Sequence, residues 1–343
     1  MKITTVGIDL AKNVLQIHGA DGNGKPIVRK QLKRKDVMEY FANLERCVID
    51  MEACGSAHYW ARQLQSLGHE VKLIAPQFVK PYVKANKHDV ADAEAICEAV
   101  SRPTMRFVPI KDVEHQAMLS LHRAREGFIG DRTATANRIR GLMAEFGLII
   151  PQGIGHVRSK VADLIEDATN ELPGMFRVLV DQLLAHLKWL DMQIDQIEDQ
   201  INAWHRSNAD SQRLEEIPGI GPIIATALIA TIGNARNFKN GRQLAAWIGL
   251  VPRQHSTGGK QTLLGVSKRG DAYLRRLLIH GARSIAYYAQ KKANPTTWLN
   301  KLIARKNFNV ATVAQANKTA RIVWALLVHG RNFRPDYALK AAA

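Results

Sequence analysis

With 343 residues, 46% of them apolar, the chain is long enough for two or three globular domains with real cores. Its formal charge is +17, from 48 Lys+Arg against 31 Asp+Glu; its longest apolar run, around Ile220 to Ile232, is broken by Gly221 and Pro222, so neither a bilayer span nor a signal peptide is expected. The three cysteines, Cys47, Cys54 and Cys97, make no CxxC pair, which argues against a zinc site and for a reducing, cytoplasmic setting.

Residues 1–110 alternate strand and helix signals, the pattern of an α/β domain with a hairpin-first sheet. Thr4 to Asp9 reads as a short strand. Val14 to His18 resumes the extended pattern, and Asp21-Gly22-Asn23-Gly24 supplies a turn before Pro26-Ile27-Val28. Val37, Tyr40, Phe41 and Leu44 have helical spacing. Cys47 to Met51 reads as a buried strand ending at Glu52, and Ser56 is placed to cap a helix that runs to Leu67 and stops at Gly68. Val71 to Ile74 is a further strand, and Asp89 to Val100 a helix that ends before Pro103.

Residues 111–212 read as a helical region. Asp112 to Gly147 is one long proline-free stretch with Arg123, Arg125, Arg132, Arg138 and Arg140 on its polar side. Phe176, Val180, Leu183, Leu187, Leu190, Ile194, Ile197, Ile201 and Trp204 follow a 4,3,4,3 spacing. That spacing fits a coiled-coil seam or a long helix inside a bundle. From Lys160 to Glu216, five Lys/Arg face 12 Asp/Glu, a net −7, so this region is expected to be a spacer or oligomerisation arm.

Residues 213–334 read as a mostly helical third region, with 335–343 a frayed tail. Ile217-Pro218-Gly219-Ile220-Gly221-Pro222 fits a helix-hairpin-helix turn. There Gly219 and Gly221 would let the backbone approach a phosphate, although an ordinary tight turn between helices fits equally well. Leu244 to Leu250 is an apolar helix, and Val251 to Gly265 is expected to be a polar, Gly-rich loop. Ser267-Lys268-Arg269-Gly270-Asp271 opens another helix, and Trp298 and Trp324 fall in apolar helical patterns that place them in the core. From Val251 to Ala343, 17 Lys/Arg stand against Asp271 and Asp336 alone, a net +15. That imbalance is the footprint of a polyanion-binding face, and nucleic acid is the expected partner because no basic amphipathic membrane anchor is visible. Arg253, Lys260, Lys268, Arg269, Arg275 and Arg276 are the candidate contacts.

Two constellations carry chemistry. Asp9 and Glu52 each end a strand, and Asp89 and Asp92 lie three apart at a helix start, on one helix face. Singly, each has a structural explanation: Asp9 as a turn residue, Glu52 as a loop acid, Asp89 and Asp92 as helix-start acids. Jointly they suit an oxygen-only site for two Mg²⁺ ions acting on a phosphodiester. The second is Ser256, between His255 and Thr257-Gly258-Gly259, with Arg253 and Lys260 close in sequence. It is either a nucleophile toward phosphorus or a turn hydroxyl in a phosphate-binding loop, and the residues alone favour the turn.

Gly7-Ile8-Asp9-Leu10-Ala11-Lys12, Met51-Glu52-Ala53-Cys54-Gly55 and His88-Asp89-Val90-Ala91-Asp92 resemble the DEDD set of insertion-sequence transposases related to the Piv DNA invertase. Ile217 to Pro222, Trp247 to Arg253, Ser256 to Lys260 and Ser267 to Asp271 resemble that family's C-terminal transposase domain. The resemblance spans nearly the whole chain, in the family's motif order. It implies a RuvC-like (ribonuclease-H-type) N-terminal fold, a coiled-coil spacer and a small serine-bearing domain. It also implies a recombinase guided by a bridge RNA that pairs with donor and target DNA, acting as a dimer or tetramer in the cytoplasm and at the nucleoid. Asp9, Glu52, Asp89 and Asp92 would hold Mg²⁺, and Ser256 would form a phosphoserine link to DNA, unless Thr257 occupies the aligned position. A nuclease using the four acids alone, or a nucleic-acid-binding module with structural acids, would share much of this pattern.

Overall fold

The computed structural model describes residues 2–83, 89–292 and 297–334. The chain divides into two compact units, residues 1–113 and 114–343.

The first unit is a mixed α/β domain. Strands β1 (Thr5–Leu10), β2 (Val14–Ala20) and β3 (Pro26–Lys33) come first. They are followed by α1 (Val37–Ala42), β4 (Val48–Glu52), α2 (Ala57–Ser66), β5 (Glu70–Ile74), α3 (Pro76–Val79), α4 (Asp89–Val100) and β6 (Phe107–Val108). The sheet order is β3-β2-β1-β4-β5-β6, with the first three strands antiparallel, β1-β4-β5 parallel, and β6 antiparallel at the edge. The turn into β3 forms because Asp21 accepts hydrogen bonds from the Asn23 and Lys25 amides, each at 2.9 Å. A sheet face packed on helices needs apolar residues at alternate positions, and β1 and β4 supply them on the α1/α2 side. Val6, Ile8, Ile49 and Met51 face Phe41, Trp60 and Leu64 from α1 and α2. The other face carries α4, and it carries it very close. A Cβ on Gly7 would lie 2.3 Å from the Ala93 carbonyl oxygen and 2.7 Å from the Cys97 nitrogen. Only glycine allows a helix backbone to rest on a strand at that distance.

Ser56 precedes α2 as expected but does not cap it. Its φ is +67°, and its hydroxyl accepts from Arg34 instead.

The second unit is helical apart from one hairpin. Its elements are α5 (Val113–Ala144), α6 (Ile154–Glu166), α7 (Gly174–Ser207), α8 (Ala209–Glu215), α9 (Pro222–Ile232) and α10 (Gly241–Ile248). Then come β7 (Pro252–Thr257), β8 (Lys260–Val266), α11 (Ala272–Lys292), α12 (Trp298–Ile303) and α13 (Phe308–His329). The heptad positions of α7 are buried within the chain itself. Trp204 donates to Glu114 at 2.5 Å, Arg125 pairs with Glu198 at 2.6 Å, Arg132 pairs with Asp191 at 3.2 Å, and the Phe146 and Phe176 rings lie 4.2 Å apart. Partner numbers rise along α5 as they fall along α7, so the two helices run antiparallel. Most of the seam residues are thus packed inside the protomer, against α5 and α6. Leu184, not Leu183, is the buried residue of its pair, because the stripe drifts toward α6 at that end.

Polar joints fix the other helices. His205 bridges the Ser211 hydroxyl at 2.8 Å and Glu215 at 2.9 Å. This resembles a catalytic triad in connectivity, but Ser211 is fully buried, so the group is a clasp between α7 and α8. His122 on α5 joins Thr226 on α9 at 3.0 Å and Tyr273 on α11 at 2.9 Å. Thr226 already donates to the Pro222 carbonyl, so His122 must donate through Nε2 and accept through Nδ1 as a neutral ring. Burial pushes its pKa down to about 4, with Arg125 acting in the same direction. The main core gathers Leu228, Ile232, Leu244, Ile248, Leu274, Leu278 and Val323.

Two further expectations fail in the second unit. The segment from Val251 to Gly265 is not a loop but most of a hairpin, because the Gly258-Gly259 turn, with φ of 54° and 78°, lets both flanking segments pair. Trp298 is 43% exposed with Lys318 over its ring at 4.8 Å, whereas Trp324 is packed on the core and donates to the Phe238 carbonyl at 3.0 Å. The expected tail, 335–343, lies outside the described residues.

Candidate active site

Asp9 and Glu52 are neighbours by register. Ile8 pairs with Met51 across the parallel β1–β4 ladder, so the next residues of both strands, Asp9 and Glu52, stand side by side on the α4 face. Both carboxylates are near enough to Cys54 to raise its thiol pKa, after burial, which is the larger cause. Helix α4 runs antiparallel to β1. Ala93 lies over Gly7, and the Cys97 sulfur lies 4.0 Å from the Thr5 carbonyl. Its first turn, which carries Asp92, therefore lies toward the end of β1 that carries Asp9. Asp89 opens the same helix, but its side chain lies outside those described. Among the described residues, no three His, Cys, Asp or Glu side chains close into a metal-holding group. What the first unit does provide is two adjacent strand-end carboxylates and a helix start aimed at them. Such an all-oxygen donor set fits a hard divalent cation.

Two residues not singled out in the sequence belong to this neighbourhood. Arg34 donates to the carbonyls of Ala11 at 3.1 Å and Lys12 at 3.0 Å, and to the Ser56 hydroxyl at 3.2 Å. Its guanidinium also lies 5.4 Å from the Trp60 ring centre. It thus ties the segment just after Asp9 to the segment just after Glu52. Asp50, register partner of Gly7, points to the α4 side two residues below Glu52. It is fully buried, and neither carboxyl oxygen has a hydrogen-bond partner among the described residues. Burial pushes its pKa up to about 8, against smaller pulls from Lys72 and from the nearby Met51 amide, which is too poorly aligned to count as a full hydrogen bond, so it adds little charge to the acids above it at neutral pH. An acid within the apolar run Val48-Ile49-Asp50-Met51 was the available signal.

The hairpin of the second unit carries Ser256, and every residue of β7 is exposed. The Ser256 hydroxyl accepts from the Gln254 amide at 2.9 Å. Alternation along the strand puts Gln254 and Ser256 on one face, and His255 and Thr257 on the other. Ser256 pairs with Gln261 and Thr257 with Lys260, so Lys260 shares the face of Thr257. His255 is therefore not placed to take a proton from Ser256. The hairpin stands on a neck of two glycines. A Cβ on Gly249 (φ 82°) would lie 1.9 Å from the Arg269 oxygen, and one on Gly270 (φ 85°) 1.9 Å from the Trp247 oxygen.

Several candidate contacts have other duties. Arg275 donates to the carbonyls of Ile248 and Arg269, bracing that neck. Arg276 pairs with Glu126 and lies over the Tyr273 ring. Space beside Gly219 is filled by Gly281 and Ile285 of α11, whereas that beside Gly221 is open. Lys268, Arg269, Arg253 and Lys260 are exposed, the last two on the hairpin.

Comparison with known proteins agrees with both units. Residues 6–147 match a DEDD-type family model for IS110 elements described as "Transposase", and residues 211–296 match "Transposase IS116/IS110/IS902 family". A probable family 20 transposase of Pseudomonas aeruginosa is 51% identical over 98% of this chain and 100% of its own length. A transposase for insertion sequence element IS1111A of Coxiella burnetii is 43% identical over 97% of this chain and 92% of its own. A transposase for insertion sequence element IS1328 of Yersinia enterocolitica is 42% identical over 96% of this chain and 98% of its own. DNA is thus the substrate, and the DEDD domain implies dependence on a divalent metal. No described helix is long and apolar enough to cross a membrane. With acids on adjoining strand ends, an exposed serine hairpin and relatives matched from end to end, the chain belongs to the IS110/IS116 family of insertion-sequence transposases.

Proposed function

We propose that this transposase recombines DNA through Ser256, with Mg²⁺ held by Asp9, Glu52, Asp89 and Asp92. The observation that carries the reading is the register placing Asp9 beside Glu52, with the first turn of α4 directed to the same end. A bound divalent cation would supply positive charge to a phosphodiester's oxygens. The Ser256 Oγ would attack phosphorus, lose its proton to a base outside the hairpin, form a P–O bond to the protein and release one DNA strand with a free hydroxyl. Attack by the hydroxyl of the exchanged strand would return the proton and free the serine. Gln254, donating to Oγ, would orient the attacking lone pair.

The hairpin's own alternation keeps Lys260 off the serine's face, so the two halves of the site would have to serve one phosphate, within a chain or between protomers. The RuvC-like relation, the Piv-related ancestry and bridge-RNA guidance rest on the motif resemblance. Guidance is tested by sequencing RNA that co-purifies with the protein: a defined species supports it and random cellular RNA opposes it. For the chemistry, Ser256→Ala and Thr257→Ala are compared in a plasmid recombination assay, alongside Asp9→Asn. Loss of the protein–DNA adduct in Ser256→Ala alone supports the reading. Full activity of Ser256→Ala, or free 5′-phosphate ends without an adduct, sinks the serine route.

A further inference from the structure

The helical region, acidic overall, contains a basic cleft. It lies between α5 and the start of α6, has a volume of about 270 Å³, and is lined by Arg132, Thr133, Asn137, Arg140, Gln152 and Ile154 among others. Arg132 and Arg140 are eight residues apart, so their backbones are about 12 Å apart along α5, and both side chains reach the same space. Their guanidiniums are held but not neutralised. Arg140 donates through Nε to the Ile150 carbonyl at 3.2 Å and through one terminal nitrogen to Asn137 at 3.3 Å, both uncharged partners. Arg132 meets Asp191 at 3.2 Å, but Arg158 shares that same carboxylate oxygen at 2.5 Å. Two guanidiniums thus share one carboxylate while Arg140 has only uncharged partners, so the three arginines stand against a single Asp191 charge, a net +2. The far wall is the start of α6, whose N-cap is Gly153 with no capping side chain. First-turn amides and the helix dipole there add to the preference for an anion. Two fixed guanidiniums, side-chain amides from Asn137 and Gln152, and a helix start make a site for a phosphate group with neutral polar neighbours.

The geometry points to this cleft as a binding site for a phosphodiester of single-stranded or looped nucleic acid, distinct from the hairpin and from the strand-end acids. The proposal rests on the chain acting on nucleic acid, but not on the serine or metal chemistry. The cleft precedes the acidic stretch Lys160 to Glu216 and would give the helical region a fixed point of contact with a nucleic-acid backbone.

The test measures binding of fluorescent 20-nucleotide single strands, DNA and RNA separately, to the full chain over a range of salt. Arg132→Gln with Arg140→Gln should weaken binding about tenfold and lower the log–log salt slope by about 1.4, the value for two phosphate contacts on a single strand. The charge-matched pair Arg123→Gln with Arg138→Gln, exposed on the same helix, should change affinity less than threefold. Thr133→Glu, which brings a carboxylate into the cleft without removing an arginine, should reproduce the loss and guards against misfolding of the double variant. Loss with only one of the two strands supports the proposal and identifies the strand. Equal losses from the two charge-matched pairs, or an unchanged slope, would overturn it. So would a cleft that responds to inorganic phosphate alone, read as thermal stabilisation of the wild type and absent from the variant, with oligonucleotide binding unaffected. A chain that binds neither strand would instead refute the nucleic-acid reading itself.

Discussion

Replacing Asp50 with asparagine should stabilise the first unit, and the gain should depend on pH. The wild-type carboxyl is lifted by burial from 3.8 to about 8. The folded state keeps a proton that the unfolded chain releases above pH 3.8, so the stability is full below that pH and is lost as pH rises toward 8. At about 1.4 kcal/mol per pH unit, the loss reaches at most about 4 kcal/mol at pH 7 and about 1.6 kcal/mol at pH 5. Asparagine has the shape of the protonated acid and never ionises, so Asp50→Asn should exceed the wild type by close to these amounts. Urea unfolding at pH 5, 6 and 7 measures the gap, with amide exchange in β1 and β4 assigning it to the first unit. A gap that does not widen with pH, or a variant less stable at pH 7, would refute the account of Asp50 as a buried acid held neutral.

Gly7→Ala should push α4 off β1, because the new methyl would meet the Ala93 carbonyl at 2.3 Å; about 1–3 kcal/mol of stability is lost by this kind of overpacking, and the thermal midpoint measures it. Arg34→Gln should leave the sheet folded but loosen the two segments that follow Asp9 and Glu52, so calorimetric titration with Mn²⁺ should show weaker binding; unchanged affinity would make Arg34 a packing residue only. His122 is neutral in the fold with a pKa of about 4 and titrates near 6.5 when unfolded, so it costs stability as pH falls between those values, about 3 kcal/mol in all. His122→Gln should flatten that acid limb in unfolding curves, and an unaltered limb would place the acid sensitivity elsewhere.

What could be read from residues followed from how local the cause was. Strands β1, β4 and β5 announced themselves as short stretches rich in Val, Ile, Leu and Met bounded by turn residues, and Asp9 and Glu52 stood out because they close two of them. The β1–β4 register was not legible, yet it is what makes these acids neighbours. The α7 stripe was plain, but periodicity does not say which partner fills it, and the partner is α5 of the same chain. The serine segment reads as a loop because its residues are polar and glycine-rich. Exposed on both faces, its strands carry no burial pattern for sequence to show, and their existence depends on the Gly258-Gly259 turn. Trp298 misled because an apolar helical pattern does not tell an edge from a centre.

The two-glycine neck has a consequence for how this chain can vary. An isolated two-stranded hairpin is marginal in water, and this one exposes Leu263 at 66%. Its position is set not by its own faces but at its root, where Gly249 and Gly270 interlock with the backbones of Arg269 and Trp247. Substitutions along the strands can therefore accumulate without moving the point of attachment, while a single methyl at either glycine displaces everything beyond it. The hairpin behaves as an exchangeable tip on a fixed stem: its exposed faces can vary, and its direction is inherited from two glycines at its root.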